Sequence, residues 1–362
     1  MRFSSALGGA GLMRGNPMAG EWWRPERLAA RRPYLMARAR IVAEVRAFFA
    51  ERNFIEVETP GLQVSPGIEP HLMAFGTDMD EPGEVTRRRY LHTSPEFAMK
   101  KLLVAGEPRI FQIAHVWRNG ERTATHHPEF SMLEWYRAGA GYQDLMTDCE
   151  TLLRRCLKAA GRGMFHGKGR DSDPAPPFER LSVPEAFRSR CGIDLLATAP
   201  DPSKPDLALL AKASAHLGIA PHAGDEWEDL FFRILLDRIE PDLGMGRPTF
   251  LYDYPVSMAA LSRPKPEDPR VAERFELYVS GIELANAFGE LTDPQIQRGR
   301  FLADQEKKRL IYGETYPLDE DFLAALDYGM PESAGIALGL DRLVMVATGA
   351  ADIEDVLWAP VR

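Results

Sequence analysis

Two arginines and two histidines lie close together in a short polar segment between two apolar stretches. The segment contains Arg118, Arg122, His126 and His127. A guanidinium binds two phosphate oxygens at once, about twice as strongly as a neutral hydrogen bond does. The residues therefore indicate a phosphate clamp on a hairpin, and the alternative is a polar hairpin loop without a ligand. A metal site is disfavoured because adjacent histidines on a strand point to opposite faces.

A second segment places acidic residues on an apolar hairpin. Ser280 and Gly281 have the composition of a two-residue turn. A turn there places Glu276 diagonally from Glu283 on one face of the hairpin. Two carboxylates at that separation require a cation, and magnesium bound to a triphosphate is a natural one. An exposed, solvated pair is the alternative.

The residues that follow Glu283 alternate out of phase with it. Asn286, Phe288 and Glu290 share one face of the predicted strand, whereas Glu283 has the opposite parity. A β-bulge near Ala285 is needed to bring all four side chains into one pocket. The sequence therefore predicts a bulged strand.

Glycines interrupt a third apolar segment that runs from Gly335 through Gly339 to Arg342. Glycine on a strand permits a ligand to approach the backbone closely. Arg342 then begins a helix that points toward that ligand. A tightly packed junction between a strand and a helix is the alternative interpretation.

These segments must be positioned by a sheet, and hydrophobic periodicity indicates its elements. Helices are predicted at 35–53, 143–160 and 295–310, with an unspecialised helical region at 181–242. Strands are predicted at 54–58, 109–116, 129–137, 275–279 and 282–288, a strand that continues into a helix at 335–348, and a surface loop at 161–177. Strands that return as hairpins between groups of helices are typical of an α+β fold, with an antiparallel sheet flanked by helices.

Composition restricts the class of protein. The chain has 362 residues and a net charge of −9, whereas a dedicated nucleic-acid binder usually carries a basic excess. Its three cysteines form no C-x-x-C pair, which favours a reducing, cytoplasmic compartment. No apolar run approaches the length of a transmembrane helix, so we expect no membrane association.

Domain organisation is predicted to be simple. Residues 1–20 lack the apolar core of a signal peptide and are predicted to form a disordered extension, with Met18 as an alternative start. Residues 21–362 are predicted to form a single catalytic domain. The helical region at about 181–242 is predicted to be an insertion in that domain.

The three segments together resemble the signature motifs of class II aminoacyl-tRNA synthetases. Phe54–Pro60 resembles motif 1, which forms the dimer interface, the Arg118 hairpin resembles motif 2, and the segment that ends at Arg342 resembles motif 3. The resemblance is strongest to lysyl-tRNA synthetases and to their shortened relatives that attach (R)-β-lysine to a lysine of translation elongation factor P. His92–Phe97 and Gly281–Asn286 carry this finer resemblance.

The resemblance implies an ATP-dependent ligase that forms an aminoacyl-adenylate and uses Mg²⁺. It implies that Arg118 and Arg342 are catalytic, that Phe130 stacks on adenine opposite Arg342, and that Glu276 and Glu283 hold the metal. The implied ATP-binding residues are Arg118, Asn119, Gly120, Glu121, His126, His127, Phe130, Glu283, Leu284, Gly339 and Arg342. The implied substrate-binding residues are Ser94, Glu96, Glu134, Tyr136, Asn286, Glu290 and Ala337.

Three of the implied substrate-binding residues explain a preference for a diamino acid. Burying an ammonium costs several kcal/mol unless a carboxylate meets it. Glu96, Glu134 and Glu290 would repel one another in an empty pocket, so the pocket favours a dication and disfavours neutral amino acids.

Two positions depart from the synthetase pattern. Gly120 lies where lysyl-tRNA synthetases carry a glutamate that reads adenine, so either Glu121 or the backbone takes over that contact. Ala337 lies where those enzymes usually carry glycine. Its methyl group narrows the pocket, in keeping with a β-amino substrate, and the choice between lysine and (R)-β-lysine stays open.

The resemblance and the acidic net charge together favour elongation factor P as the acceptor, with no stable tRNA binding. Motif 1 ends at Pro60, which leaves no room before it for an anticodon-binding barrel, and a homodimer through this motif is expected. A shortened lysyl-tRNA synthetase paralogue that charges tRNA or another carrier is the main alternative. A non-catalytic paralogue is a third, which the retention of Arg118, Arg342, Glu276 and Glu283 disfavours.

Overall fold

The computed structural model describes residues 21–259 and 261–362, so the extension predicted at residues 1–20 lies outside the described residues. The helices are α1 (Pro25–Ala50), α2 (Glu96–Val104), α3 (Tyr142–Ala159), α4 (Val183–Cys191), α5 (Leu207–Ser214), α6 (Trp227–Ile234), α7 (Pro294–Tyr312), α8 (Glu320–Gly329) and α9 (Leu340–Thr348). The strands are β1 (Ile55–Glu56), β2 (Leu62–Gln63), β3 (Gly76–Glu81), β4 (Val85–Leu91), β5 (Arg109–Trp117), β6 (Glu129–Ala138), β7 (Phe165–Gly167), β8 (Arg170–Ser172), β9 (Glu179–Ser182), β10 (Thr249–Pro255), β11 (Pro264–Lys265), β12 (Asp268–Val279), β13 (Ile282–Gly289) and β14 (Ser333–Gly339).

The main sheet is largely antiparallel. Within the described residues its strand order is β1-β5-β6-β14-β13-β12-β10-β9, and β11 pairs with β12. Only the outer pairs β1–β5 and β10–β9 are parallel among these neighbours. The predicted α+β architecture, an antiparallel sheet flanked by helices, is confirmed.

The turn that joins β12 to β13 lies where the sequence predicts it. Ser280 has a φ of 51° and Gly281 a φ of 73°, and a two-residue hairpin turn with positive φ at both positions matches the twist of the strands. Val279 pairs with Ile282 across it. The local composition therefore set the register of this hairpin.

The predicted bulge is also present. Tyr278 pairs with Glu283, but the next pair joins Leu277 to Ala285, which leaves Leu284 as the extra residue. An extra residue on one strand reverses the parity of all residues after it. Glu283 and the polar residues farther along β13 therefore reach the same face of the sheet.

The opposite face of the sheet packs against helices. Leu133 and Trp135 of β6 and Ile336 of β14 belong to a buried cluster with α1, α3 and α9. Within it the rings of Phe49 and Phe111 stack at 4.5 Å between centroids. Because side chains alternate along a strand, the residues between these apolar ones point to the other face.

Two further apolar clusters extend this layer. One joins the helices between residues 181 and 243 to β10, in the region predicted to be a helical insertion, and that division into domains stays a prediction. The other joins α2, α7 and α8. Helices α2, α7 and α8 border the face of the sheet that α1 and α3 do not cover.

Several elements differ from the sequence-based expectation. The loop predicted at 161–177 contains the β7–β8 hairpin, in which Phe165 is buried. The β3–β4 hairpin was not predicted, because its outward residues are charged on both strands. Arg87 pairs with Glu81 and Arg88 with Asp78 across it, and both arginine side chains remain exposed to solvent. Helix α8 was missed as well.

Candidate active site

A cavity of about 290 Å³ lies on the face of the sheet turned away from α1 and α3. Alternate residues of the neighbouring strands β6, β13 and β14 form its floor. The structure brings together here most of the residues selected from the sequence. They are Ser94, Glu96, Arg118, Glu121, His126, His127, Phe130, Glu134, Tyr136, Glu283, Leu284, Asn286, Glu290, Ala337, Gly339 and Arg342.

Three of the residues implied by the family resemblance do not line the cavity. Arg122, included in the predicted phosphate clamp, does not line it either and pairs with Glu354. Asn119 and Gly120 are exposed in the turn that follows β5. Glu276 lies on β12 and is largely buried. Its carboxylate accepts hydrogen bonds from Arg274 Nη2 at 2.7 Å and from the Tyr278 hydroxyl at 2.7 Å. Glu276 is therefore already bonded through both oxygens.

One end of the cavity is acidic and centres on Glu134, which is buried to 1% exposure. Its carboxylate accepts a hydrogen bond from Ser94 Oγ at 2.5 Å and another from the Tyr136 hydroxyl at 3.0 Å. Burial, reinforced by the charge of Glu96, raises the pKa of Glu134 to about 8. This environment therefore holds Glu134 close to the protonated form at neutral pH.

A buried lysine at the acidic end was not identified from the sequence. The Lys100 ammonium lies 2.5 Å from Glu96 Oε1 and 2.6 Å from Glu290 Oε2. Burial acts to lower the pKa of Lys100, but Glu290 and Glu96 outweigh it and raise the pKa. Two of the three glutamates thus share an internal cation. The four-residue spacing of Glu96 and Lys100 on α2 was the available signal.

Gly335 lies at the acidic end where its neighbours leave no room for a side chain. A Cβ atom at this position would collide with the ring of Tyr136 and with Oε1 of Glu290. The glycine is therefore required by close packing. Ala337, two residues along the same strand, lies between Asn286 on β13 and Glu134 on β6.

The other end of the cavity is basic. Arg118 follows β5, and its guanidinium carbon lies 5.3 Å from the centre of the Phe130 ring. Its Nε is buried and has no hydrogen-bond partner within the residues described here. A buried donor without a partner costs free energy, so this guanidinium is suited to an anionic ligand that completes its bonding.

Arg342, at the start of α9, is held by the loop between β5 and β6. It donates to the carbonyls of Thr125 at 3.1 Å and Glu283 at 3.0 Å, and its Nη2 lies 2.6 Å from His126 Nε2. Burial, followed by the charge of Arg342, lowers the pKa of His126. The imidazole is therefore neutral and accepts from the arginine.

His127 is occupied by the backbone. Its Nδ1 lies 2.5 Å from the carbonyl of Glu129, and its Nε2 accepts from the backbone N–H of Val361 at 3.2 Å. Both ring nitrogens are used, although the ring borders the cavity. His127 thus fastens the C-terminal segment beside the cavity, and a direct bond to a nucleotide would require one of these contacts to break.

The sequence matches the profile of the tRNA synthetases class II (D, K and N) over residues 24–362. The chain belongs to this family. Class II synthetases use ATP, and Mg²⁺ is typical of them. Among the described residues, no group of three or more His, Cys, Asp or Glu side chains is arranged to hold a metal ion. Magnesium commonly binds through one or two carboxylates together with substrate phosphates, and Glu283 presents a carboxylate to the cavity.

Curated relatives resemble this class II chain over nearly their whole length. A protein of Vibrio cholerae is 41% identical over 330 residues, which cover 90% of this chain and 94% of the relative. One of Erwinia tasmaniensis is 40% identical over 338 residues, covering 92% and 96%. One of Haemophilus influenzae is 40% identical over 324 residues, covering 89% and 93%. All three are named elongation factor P–(R)-β-lysine ligase.

Motif 3 is joined to helix α1 and to strand β6 of motif 2 by a contact that the sequence did not reveal. Asp341 of motif 3 forms an ion pair with Arg38 of α1 and accepts from the backbone N–H of Ser131 on β6 at 2.8 Å. Arg38 also donates to Ser131 Oγ at 2.8 Å. Asp341 thereby fixes Arg342 relative to the motif 2 strands.

No helix in the described chain is both long and apolar enough to span a bilayer.

Proposed function

We propose that this chain activates (R)-β-lysine, or lysine, with ATP and transfers the aminoacyl group to a lysine of elongation factor P. The observation that carries the proposal is the division of charge along the cavity. Arg118 and Arg342 border one end, while Glu96, Glu134 and Glu290 border the other. A nucleotide phosphate matches the first end and a diamino acid the second. The names of the relatives, and their similarity to this chain over nearly their whole length, support elongation factor P as the acceptor.

In this proposal activation is an in-line attack of the amino acid carboxylate on the α-phosphorus of ATP, with release of pyrophosphate. Arg118 binds the α-phosphate and stabilises the charge that develops on it. Magnesium, when bound, neutralises phosphate charge beside Glu283, and Glu276 joins it only by releasing one of its present donors. No protein nucleophile is needed, because the two reactants are held in position.

The nucleotide base and ribose are assigned to the remaining residues of the basic end. Phe130 provides a ring on which adenine stacks, and Arg342 covers the opposite face of the base. Either Glu121, which lines the cavity, or the backbone at Asn119–Gly120 reads the edge of the base. Leu284 and Gly339 border the nucleotide. His126, fixed by Arg342, contacts the phosphates or the ribose. His127 acts on the nucleotide site indirectly, because it holds the backbone of Glu129 and Val361 beside the cavity.

The amino acid is assigned to the acidic end. Glu134, as an ionised carboxylate, binds one ammonium of the substrate. Lys100 contacts one oxygen each of Glu96 and Glu290, and the other oxygen of each binds the second ammonium. Ser94 and Tyr136 hold Glu134 in place, and Asn286 contacts the backbone atoms of the substrate. Ala337 limits the width of the pocket beside Asn286 and Glu134.

We further infer a cytoplasmic homodimer that forms through the segment before and after Pro60. Ile55 is 51% exposed, Leu62 43% and Val64 44%, so the motif 1 segment presents apolar surface that a second copy would cover. Light scattering should report a dimer for the wild-type protein and a larger monomer fraction for Val64→Glu. A dimer of unchanged strength in that variant would contradict the assignment.

The decisive experiment compares ATP–pyrophosphate exchange with lysine, (R)-β-lysine and (S)-β-lysine. We expect exchange that depends on the amino acid and is fastest with (R)-β-lysine. Radiolabelled amino acid should then appear on elongation factor P and not on tRNA. Label on tRNA would instead establish the synthetase paralogue, and the absence of exchange with all three amino acids would establish a non-catalytic protein.

A further inference from the structure

Glu69 lines the reaction cavity although no motif includes it. It lies in the loop between β2 and β3, and it borders both the main cavity and a smaller recess that opens beside it. Ser94 and Glu96 also border both spaces. The side chain is exposed and forms no ion pair with any residue of 21–259 or 261–362. Glu69 is therefore a carboxylate that solvent and a solvent-borne ligand can reach.

The charges around Glu69 locate it along the cavity. Glu96 and Lys100 of the amino acid end act on its carboxylate, and so does Arg118 of the phosphate end. In the proposed function a carboxylate oxygen of the amino acid bonds to the α-phosphorus between these two ends, and pyrophosphate leaves. Glu69 consequently borders the region where the mixed anhydride forms and where the acceptor must attack it.

The loop that carries Glu69 is held firmly. Lys308 of α7 is buried to 1% exposure and donates to the carbonyls of Pro70 at 3.0 Å and Leu72 at 2.7 Å. The backbone N–H of Ala74 donates to the Tyr316 hydroxyl at 2.8 Å. A positioned base requires such support, because its contribution depends on geometry before acidity.

We propose that Glu69 receives the ammonium of the acceptor lysine and acts as the general base for transfer, an inference that rests on the proposed function. The ammonium gives one proton to the Glu69 carboxylate. The neutral amine then attacks the carbonyl carbon, a C–N bond forms, and the bond from that carbon to the phosphate oxygen breaks. AMP leaves with the electron pair, and the second N–H proton passes to solvent.

The test separates the two half-reactions in Glu69→Gln. Exchange of pyrophosphate into ATP should stay within about twofold of wild type, whereas single-turnover transfer from preformed adenylate to elongation factor P should fall about 100-fold, since a general base contributes about 10²–10⁴-fold. Raising the pH should recover part of the loss, because the acceptor amine then loses its proton to solvent. Hydroxylamine, which is uncharged at neutral pH, should intercept the adenylate equally in both proteins.

Asp304→Asn is the matched control, since Asp304 borders the recess but not the main cavity. It should retain both half-reactions. Exchange that falls together with transfer in Glu69→Gln would overturn the proposal, because Glu69 would then bind the activated amino acid. Unchanged transfer, or an equal loss in both variants, would overturn it as well. Failure of the wild-type exchange would refute the proposed function itself, before any variant is compared.

Discussion

The ammonium of Lys100 lies 2.6 Å from the carboxylate of Glu290, and both side chains retain only 1% exposure. The same ammonium lies 2.5 Å from Glu96. A pocket proposed to bind a dication therefore already contains one cation of its own. Lys100 reduces the repulsion among the glutamates and orients two of them, which leaves Glu134 as the carboxylate whose charge depends most on the ligand.

Lys100→Met should destabilise the protein and weaken binding of the amino acid. Removing one partner of a buried ion pair costs about 3–5 kcal/mol, and the unpaired glutamates would then bind protons in place of the substrate. Urea unfolding and the KM for the amino acid in pyrophosphate exchange measure the two effects. Lys101→Met is the control, because Lys101 pairs with Asp319 and Asp321 on the outer side of α2. Equal effects in both variants would contradict the role of Lys100.

The raised pKa of Glu134 makes stability and binding depend on pH. Its folded-state pKa is about 8 against an ordinary value of 4.5, so its contribution to stability is fully present below the unfolded pKa and is lost as the pH rises through the folded pKa. The empty protein should lose stability over that window. A bound ammonium favours the ionised carboxylate, so ligand binding releases a proton below about pH 8.

Thermal stabilisation by lysine or (R)-β-lysine should therefore increase between about pH 6 and about pH 9. Glu134→Gln should flatten this increase, whereas stabilisation by ATP should keep its wild-type pH dependence. Calorimetry in buffers of different ionisation enthalpy should detect the released proton. A wild-type stabilisation that does not change with pH would show that Glu134 is already ionised in the empty pocket.

Arg118→Ala should abolish most adenylate formation. Removing a donor that stabilises developing charge costs about 10²–10³-fold in rate, and Arg118→Lys should recover little because an ammonium lacks the planar fork. Pyrophosphate exchange is the measurement. Arg122→Ala is the control from the same loop, since Arg122 is 48% exposed on its side chain and pairs with Glu354 at 3.2 Å. Near-normal exchange in Arg118→Ala would remove this residue from the phosphate site.

Ala337→Gly should improve the use of lysine relative to (R)-β-lysine. One methyl group in a pocket discriminates by about 1–3 kcal/mol, so the ratio of kcat/KM values should change about tenfold toward lysine. Ala287→Gly is the control, because Ala287 lies on the neighbouring strand and faces the apolar core. It should lower stability without changing the ratio. An unchanged ratio in Ala337→Gly would show that another residue sets the preference.

Much of the fold could be predicted from the sequence because its signals are local. The β12–β13 turn follows from the composition of Ser280–Gly281, and the bulge at Leu284 follows from the parity of the polar residues after it. The β3–β4 hairpin was missed because the residues around Arg87 and Arg88 do not alternate between apolar and polar, which is the pattern that predicts a strand. Its strands are specified by cross-strand pairs with acidic residues, and such pairs become visible only once the register is known.

The sequence by itself determined the family, the main strands that form the cavity floor and most of the residues that border the cavity. These depend on periodicity, turn chemistry and motif spacing along the chain. The tertiary structure alone decided which charges meet. Arg38 and Asp341 are 303 residues apart. Lys100 of α2 meets Glu290, which lies far along the chain just after β13, and Lys308 of α7 holds the loop that carries Glu69. Such contacts depend on distances in space, which spacing along the chain does not specify.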